Sequence, residues 1–372
     1  MEIIYSSQEM LDFFKREKIE FEIRGKTSIG HPLIMIHKVG VGKPVIITAG
    51  AHASEPSGVS AACEIIKNWR YPFPLYMFPL RDPFGCMGYA KCLETVIGEE
   101  VSISSYEDVT RILREKANAM YCDRPDFMLA EINSVLFANC RYNPVEAGPR
   151  QSEINTNEFL KANPEKIPEF AGKRIVCPAN FNEESETVGC YERAFTAEIT
   201  AYGVFADYNR RFGTDEEPME VRVVRETIDL IEPRLALDLH EGFGSTYYYF
   251  APDYNVNEKT RLYIQQMINS VRDDFSEPWR LTGIAACIPS AAEEFVEPIP
   301  GVIADKHIQR NIGGTDMTKF GGPKGVSFGG YAARYCPAVT IESGSVNTLA
   351  NRVKVHLKSV YSVLDAIAKE DS

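Results

Sequence analysis

The chain has 372 residues, with 40 Lys+Arg against 52 Asp+Glu and a formal net charge of −12. Its 44% hydrophobic and 25% charged content is that of an ordinary globular protein and excludes disordered and fibrous classes. An acidic chain lacks the clustered Lys and Arg needed to bind nucleic acid or an anionic membrane surface, so neither partner is expected. The start, Met1-Glu2-Ile3-Ile4-Tyr5, has no basic stretch followed by an apolar run, and no segment reaches the roughly 18 apolar residues of a membrane span. The expectation is a soluble, cytoplasmic protein. Nine cysteines without a C-x-x-C pair argue against a disulfide framework or an all-cysteine zinc site, and for small buried thiols.

In chain order, Leu33 to His37 and Val45 to Ala49 are short β-favouring runs. Gly58 to Ile66 has helical character, and Leu75 to Leu80 reads as a further buried strand. Strand, helix, strand in that order predicts an α/β layer with a largely parallel sheet. From Ser105 to Phe170 the pattern reads as mainly helical, with periodic stretches at Val109 to Ala117 and Phe127 to Phe137. A helical insertion over residues 100–190 is therefore expected. Val221 to Ile231 reads as a helix, Leu235 to Leu239 and Tyr247 to Phe250 as strands, and Thr260 to Phe275 as a helix. Glycine pairs at 313–314, 321–322 and 329–330 mark a loop at a functional face. Ala338 to Ile341 is a last strand, and Val346 to Ala368 a closing helix.

Four short motifs carry chemistry. His52-Ala53-Ser54-Glu55 follows the run Val45 to Gly50; an imidazole and a carboxylate three residues apart on such a turn can both reach one Zn²⁺, or the histidine is simply bonded locally at a strand end. Asp238-Leu239-His240 closes another strand, where alternation puts Asp238 and His240 on one side and Leu237 and Leu239 on the other. A catalytic zinc ion takes three protein ligands and leaves a position for water, and His, Glu, His is one such set. Thr340-Ile341-Glu342-Ser343 ends the last strand on a carboxylate that can act as general base or stand as an exposed strand-end glutamate. Asp207-Tyr208-Asn209-Arg210-Arg211-Phe212 places an amide beside guanidinium groups, a pairing that holds a carboxylate or forms a solvated loop.

Taken in order, these four motifs resemble the zinc carboxypeptidase (funnelin) family, which includes amidohydrolases of the succinylglutamate desuccinylase and aspartoacylase type. Gly25-Lys26-Thr27-Ser28-Ile29-Gly30-His31-Pro32-Leu33 and Arg81-Asp82-Pro83-Phe84-Gly85 add to the likeness. The resemblance implies a single catalytic domain spanning residues 1–372, a three-layer α/β/α fold around a mixed eight-stranded sheet, and one Zn²⁺ ion held by His52, Glu55 and His240. It further implies Asn209 and Arg210 as the grip on a substrate carboxylate, with Arg211 able to share it, and Glu342 as general base and acid. The family's transition-state arginine corresponds to Arg81, Arg141 or Arg193, with Arg81 placed first, and its mobile phenol to Tyr331. Asp238 is expected to orient a ligand imidazole.

The expected activity is metallocarboxypeptidase hydrolysis of an amide next to a free carboxylate, with a small peptide as substrate. N-acyl-amino-acid deacylation is the alternative, and a peptide C-terminus binding module without catalysis the third reading.

Overall fold

Two five-residue and eight-residue runs that are buried throughout, Val45–Ala49 and Leu235–Gly242, lie side by side at the centre of the protein. In this computed structural model residues 2–141, 151–178, 191, 193–287, 291–306 and 325–371 are described. The strands in chain order are β1 (Glu22–Lys26), β2 (Pro32–Lys38), β3 (Val45–Ala49), β4 (Leu75–Phe78), β5 (Ala119–Asp123), β6 (Phe127–Ile132), β7 (Val135–Cys140) and β8 (Arg174–Pro178). They continue with β9 (Ala194–Ile199), β10 (Phe205–Ala206), β11 (Leu235–Gly242), β12 (Tyr247–Phe250), β13 (Phe295–Ile299), β14 (Val302–Asp305) and β15 (Ala338–Gly344).

Among the described residues, nine strands form the main sheet in the order β1-β2-β4-β3-β11-β15-β12-β14-β13. Its centre, β4-β3-β11-β15, is parallel, and β12 joins β15 antiparallel. The expected α/β class with a mixed sheet is thus found, with nine strands instead of eight and the parallel pairing concentrated at the centre. Alternation along the strands feeds two cores. Val45, Ile47, Leu237, Leu239, Val339 and Ile341 face the helices Pro56–Lys67, Glu258–Val271 and Leu349–Glu370. Ile46, Ala236 and Ala338 face the opposite layer with Val221, Val224 and Ile228 of the helix Met219–Ile231. Helices therefore cover both faces, because strands buried on both sides need them.

Residues 100–190 correct the sequence-based expectation. The segment contains helices at Tyr106–Lys116 and Gln151–Ala162, but it also supplies most of a second, six-stranded sheet of order β10-β9-β8-β7-β6-β5. Phe127 to Phe137, expected as helix, is β6, a two-residue turn and the start of β7. Asn133 and Ser134 have φ of 47° and 69°, and Ile132 pairs with Val135 across them, so they form a tight hairpin turn with both central residues left-handed. The apolar run reads as a helix face only if that turn is overlooked.

Arg174 of β8 stitches the second sheet to the first. Fully buried, it meets Asp82 of the loop after β4 at 3.5 Å, pairs with Glu220 at the start of the helix Met219–Ile231, and donates to Thr196 of β9 at 3.1 Å. Cys63, Cys86, Cys92, Cys122, Cys140, Cys177 and Cys336 are free, and all of them except the half-buried Cys122 are buried, as the sequence suggested. Among the described residues no helix is long and apolar enough to cross a membrane. The glycine pairs at 313–314 and 321–322 lie outside the described residues.

Candidate metal centre

The C-terminal ends of the parallel strands place the first three motifs together. His52 sits in the turn that leaves β3, and Glu55 is the residue before the helix Pro56–Lys67, whose first position is a proline that needs no N–H partner. Because Glu55 makes no cap bond with its side chain, its carboxylate is available to the site. Oε1 lies 2.8 Å from His52 Nδ1, and Oε2 lies 2.9 Å from His240 Nδ1 at the end of β11. The two Nδ1 atoms are 3.3 Å apart. His52, Glu55 and His240 offer ligand atoms all within 4.8 Å of one another, an arrangement that could hold a metal ion.

The other face of each imidazole is occupied by a carboxylate. His52 Nε2 lies 3.1 Å from both oxygens of Asp207, just past β10, and His240 Nε2 lies 2.8 Å from Asp238 Oδ2. With each Nε2 facing an acid, each Nδ1 faces Glu55 and the other histidine. Glu55 Oε2, although buried, has no aligned hydrogen bond. Two imidazole nitrogens and a carboxylate converging on one point form, once deprotonated, a donor set for a cation. The surrounding acids favour positive charge there. Burial works against charge on His52, but Asp207 and Glu55 outweigh it and carry the imidazole up to about 10. His240 is also raised well above its usual range by Asp238 and Glu55, against the effect of burial. Glu55 is down to about 2, its burial overcome by the two imidazoles.

Glu342 completes a row across the sheet. In the parallel pairing of β11 with β15 its partner is His240, and in the antiparallel pairing of β15 with β12 its partner is Tyr248. Paired residues share a face, so His240, Glu342 and Tyr248 stand side by side. Burial, reinforced by the carboxylates of Glu55 and Asp238 and opposed by the imidazoles, pushes Glu342 up to about 7. The next row is bare: Gly242 pairs with Gly344, and a Cβ on Gly242 would fall 2.2 Å from the Tyr248 hydroxyl oxygen. The glycine is what lets that phenol lie over the strand end two residues from His240.

The fourth motif lies on the opposite side of the histidines. Asp207 caps the short turn Tyr208–Arg210 by accepting from Asn209 N at 2.7 Å. The buried Asn209 amide nitrogen is 3.5 Å from Asp238 Oδ2 and 3.4 Å from His240 Nε2, while its oxygen accepts from Phe328 N at 3.0 Å. Half-buried Arg210 donates to the Asn209 carbonyl at 2.7 Å, and its charge helps hold Asp207 well below the usual carboxylate range.

Several expected residues are placed elsewhere. Arg81 is 1% exposed, lies 3.5 Å from Asp238 Oδ2 and stacks on the Phe212 ring, so it sits beneath the site and not at its mouth. Arg141 pairs with Glu107 at 2.6 Å beside Tyr106, on the second sheet. Arg193, half-buried just before β9, acts electrostatically on Glu241, the residue after His240. Arg211 turns inward to the Glu198 carbonyl and to Glu216. The Tyr331 hydroxyl donates to Asp229 at 2.6 Å, which removes it from the metal cluster. Tyr248 was not foreseen, since three consecutive tyrosines give no hint of which faces the site until the pairing of β12 is known. Asp207 was visible only as part of a motif, without its role on His52.

No protein-family model matches the chain, and no curated protein matches it. Among solved structures it is similar to a candidate metallopeptidase from Shewanella amazonensis SB2B, at 13% identity and a TM-score of 0.47, over 96% of this chain and 91% of that one. A metallo-carboxypeptidase from Burkholderia cenocepacia matches at 10% identity and a TM-score of 0.47, over 99% of this chain and 70% of that one. Carboxypeptidase A from Helicoverpa armigera matches at 11% identity and a TM-score of 0.43, over 99% and 73%. The solved structures to which this chain is similar thus include metallopeptidases and metallo-carboxypeptidases.

Proposed function

We propose that the protein is a zinc-dependent hydrolase that cleaves an amide next to a free carboxylate, as a metallocarboxypeptidase does. The observation that carries this reading is the 3.3 Å separation of the two Nδ1 atoms with the Glu55 carboxylate spanning both. Two Zn–N bonds of about 2.0–2.1 Å at the tetrahedral angle put the nitrogens about 3.3 Å apart, so the donor set fits. His52, Glu55 and His240 are the ligands in this reading. Bound Zn²⁺ supplies Lewis acidity, lowering the pKa of water toward about 7 and polarising a carbonyl.

The chain's own groups supply the rest. Asp207 and Asp238 hold the two Nε2–H groups and so keep each Nδ1 free to ligate. Glu342, pushed up to about 7, accepts a proton from water and returns it to the leaving amine. Arg210, beside Asn209, binds the substrate carboxylate, and Arg193 stabilises negative charge developing on the scissile carbonyl. The Tyr248 phenol, next to Glu342 in the same row, faces the substrate.

The test is metal content together with hydrolysis of a panel of C-terminal dipeptides and N-acyl amino acids, with and without chelator. One equivalent of zinc and chelator-sensitive dipeptide cleavage are expected; preference for the acyl amino acids would make the enzyme a deacylase. Absence of stoichiometric metal and of metal-restored activity would refute the hydrolase reading. Glu342→Gln is expected to retain zinc and lose about 10²–10⁴-fold in turnover.

A further inference from the structure

Behind the histidines lies a buried polar network that the proposed chemistry leaves unused. His356, on the helix Leu349–Glu370, is 0% exposed, with Nε2 3.2 Å from Ser57 Oγ and 3.1 Å from Ser343 Oγ. The two hydroxyl oxygens are 3.1 Å apart, and Ser343 Oγ donates to the His240 carbonyl at 3.4 Å. Each serine adjoins a site residue in sequence: Ser57 is two positions after Glu55, and Ser343 follows Glu342. The same helix adds a second anchor one turn earlier, where Arg352 pairs with Glu241, whose other oxygen accepts from Ser57 N at 2.7 Å.

An apolar side chain would fill this core position with no polar atom to satisfy. The imidazole instead leaves Nδ1 buried without a partner, a cost that packing does not explain. Burial keeps the ring neutral, its pKa down to about 3. The neutral ring thus bridges two hydroxyls through one nitrogen and ties together the segments that carry them.

We propose that His356 is a positioning residue of the metal centre: by joining Ser57 and Ser343, it fixes the segments carrying Glu55, Glu342 and His240 relative to one another. Metal affinity then depends on a side chain of the C-terminal helix that touches no ligand. The proposal rests on the reading of His52, Glu55 and His240 as a metal site.

The test compares His356→Leu with His356→Gln, whose amide can reach the position of Nε2, and measures Zn²⁺ affinity of the folded, metal-stripped protein by competition with a chelating indicator. His356→Leu is expected to bind Zn²⁺ about 10–100-fold more weakly, the usual effect of losing a group behind a ligand, and His356→Gln to recover most of that loss. Turnover should fall with KM unchanged. Wild-type Zn²⁺ affinity in His356→Leu, whatever its melting temperature, overturns the proposal, as does an equal loss in both variants. Should His356→Leu not fold, Ser343→Ala removes one hydroxyl with little change in packing, and unchanged affinity there also overturns it. A wild-type protein that binds no Zn²⁺ refutes the metal site itself, a different result from a tight-binding wild type with an indifferent His356→Leu.

Discussion

Replacing Asp238 by Asn keeps the shape of the side chain and removes its charge. The carboxylate is 0% exposed and is the ion-pair partner of Arg81, itself 1% exposed, and of His240 Nε2 at 2.8 Å. An amide oxygen can still accept from His240, so the tautomer is preserved, while the Arg81 charge loses its counter-ion in the interior. Removing one partner of a buried pair costs about 3–5 kcal/mol. An unfolding entropy of about 2.1 cal/mol/K per residue over 372 residues gives about 0.8 kcal/mol/K, so the melting temperature should fall by about 4–6 °C. A neutral acceptor also polarises the imidazole less, and Zn²⁺ affinity should drop about 10–100-fold, or about 1.4–2.7 kcal/mol. Calorimetry and an indicator competition read the two effects. Thr48→Val, which removes the hydroxyl donating to Asp238 Oδ1 at 2.6 Å but keeps the charge, serves as the control with unchanged metal affinity. An Asp238→Asn protein that melts within about 1 °C of wild type would show that Arg81 does not depend on this carboxylate.

Three further outcomes are expected. Asp253 is buried, accepts from Thr260 and Asn257 through Oδ2, leaves Oδ1 unpaired, and is raised by burial from 3.8 to about 6. A carboxyl with a raised folded pKa stabilises by taking up a proton, so its contribution grows as pH falls from about 6 to about 4 and is lost as pH rises through about 6. Urea titrations should find Asp253→Asn more stable than wild type at pH 7, by at most about 3 kcal/mol, with the advantage gone at pH 4. Arg352→Met leaves the buried Glu241 without its ion-pair partner and should cost about 3–5 kcal/mol in urea unfolding, most of it recovered by adding Glu241→Gln. Gly242→Ala, whose Cβ would land 2.2 Å from the Tyr248 hydroxyl oxygen, should lower activity as Tyr248→Phe does. The double variant should then be no worse than either alone, because both remove the same phenol from the same place.

Much of the main sheet was legible because its strands are short apolar runs and its helices amphipathic. Val45–Ala49 and Tyr247–Phe250 have the expected bounds, and the helices Met219–Ile231 and Leu349–Glu370 differ from expectation by only a few residues. The second sheet was not, because Phe127 to Phe137 satisfies a helical period once the Asn133-Ser134 turn is ignored, and β8 and β9 are separated by a long stretch without a local pairing signal. At the site, His52, Glu55, His240 and Glu342 could be singled out because each follows or closes an apolar run. Tyr248, Ser57 and His356 could not: their roles come from strand register and from contacts over up to 299 positions, which no local pattern encodes. Arg81 and Tyr331 show the reverse, residue types suited to the chemistry whose side chains the fold turns to Asp238 and Asp229.

Asp207 gives the centre a property that none of the proposed ligands has alone. It follows β10 in the second sheet, yet it holds Nε2 of His52 at the end of a strand in the first. Any separation of the two sheets therefore loosens one proposed ligand, and by thermodynamic reciprocity a cation held by His52, Glu55 and His240 would strengthen the docking of the sheets by the same free energy. Occupancy of the centre and docking of the two sheets are thereby coupled, so chelator should increase protease access to the seam around Arg174 and Asp82 before it unfolds either sheet.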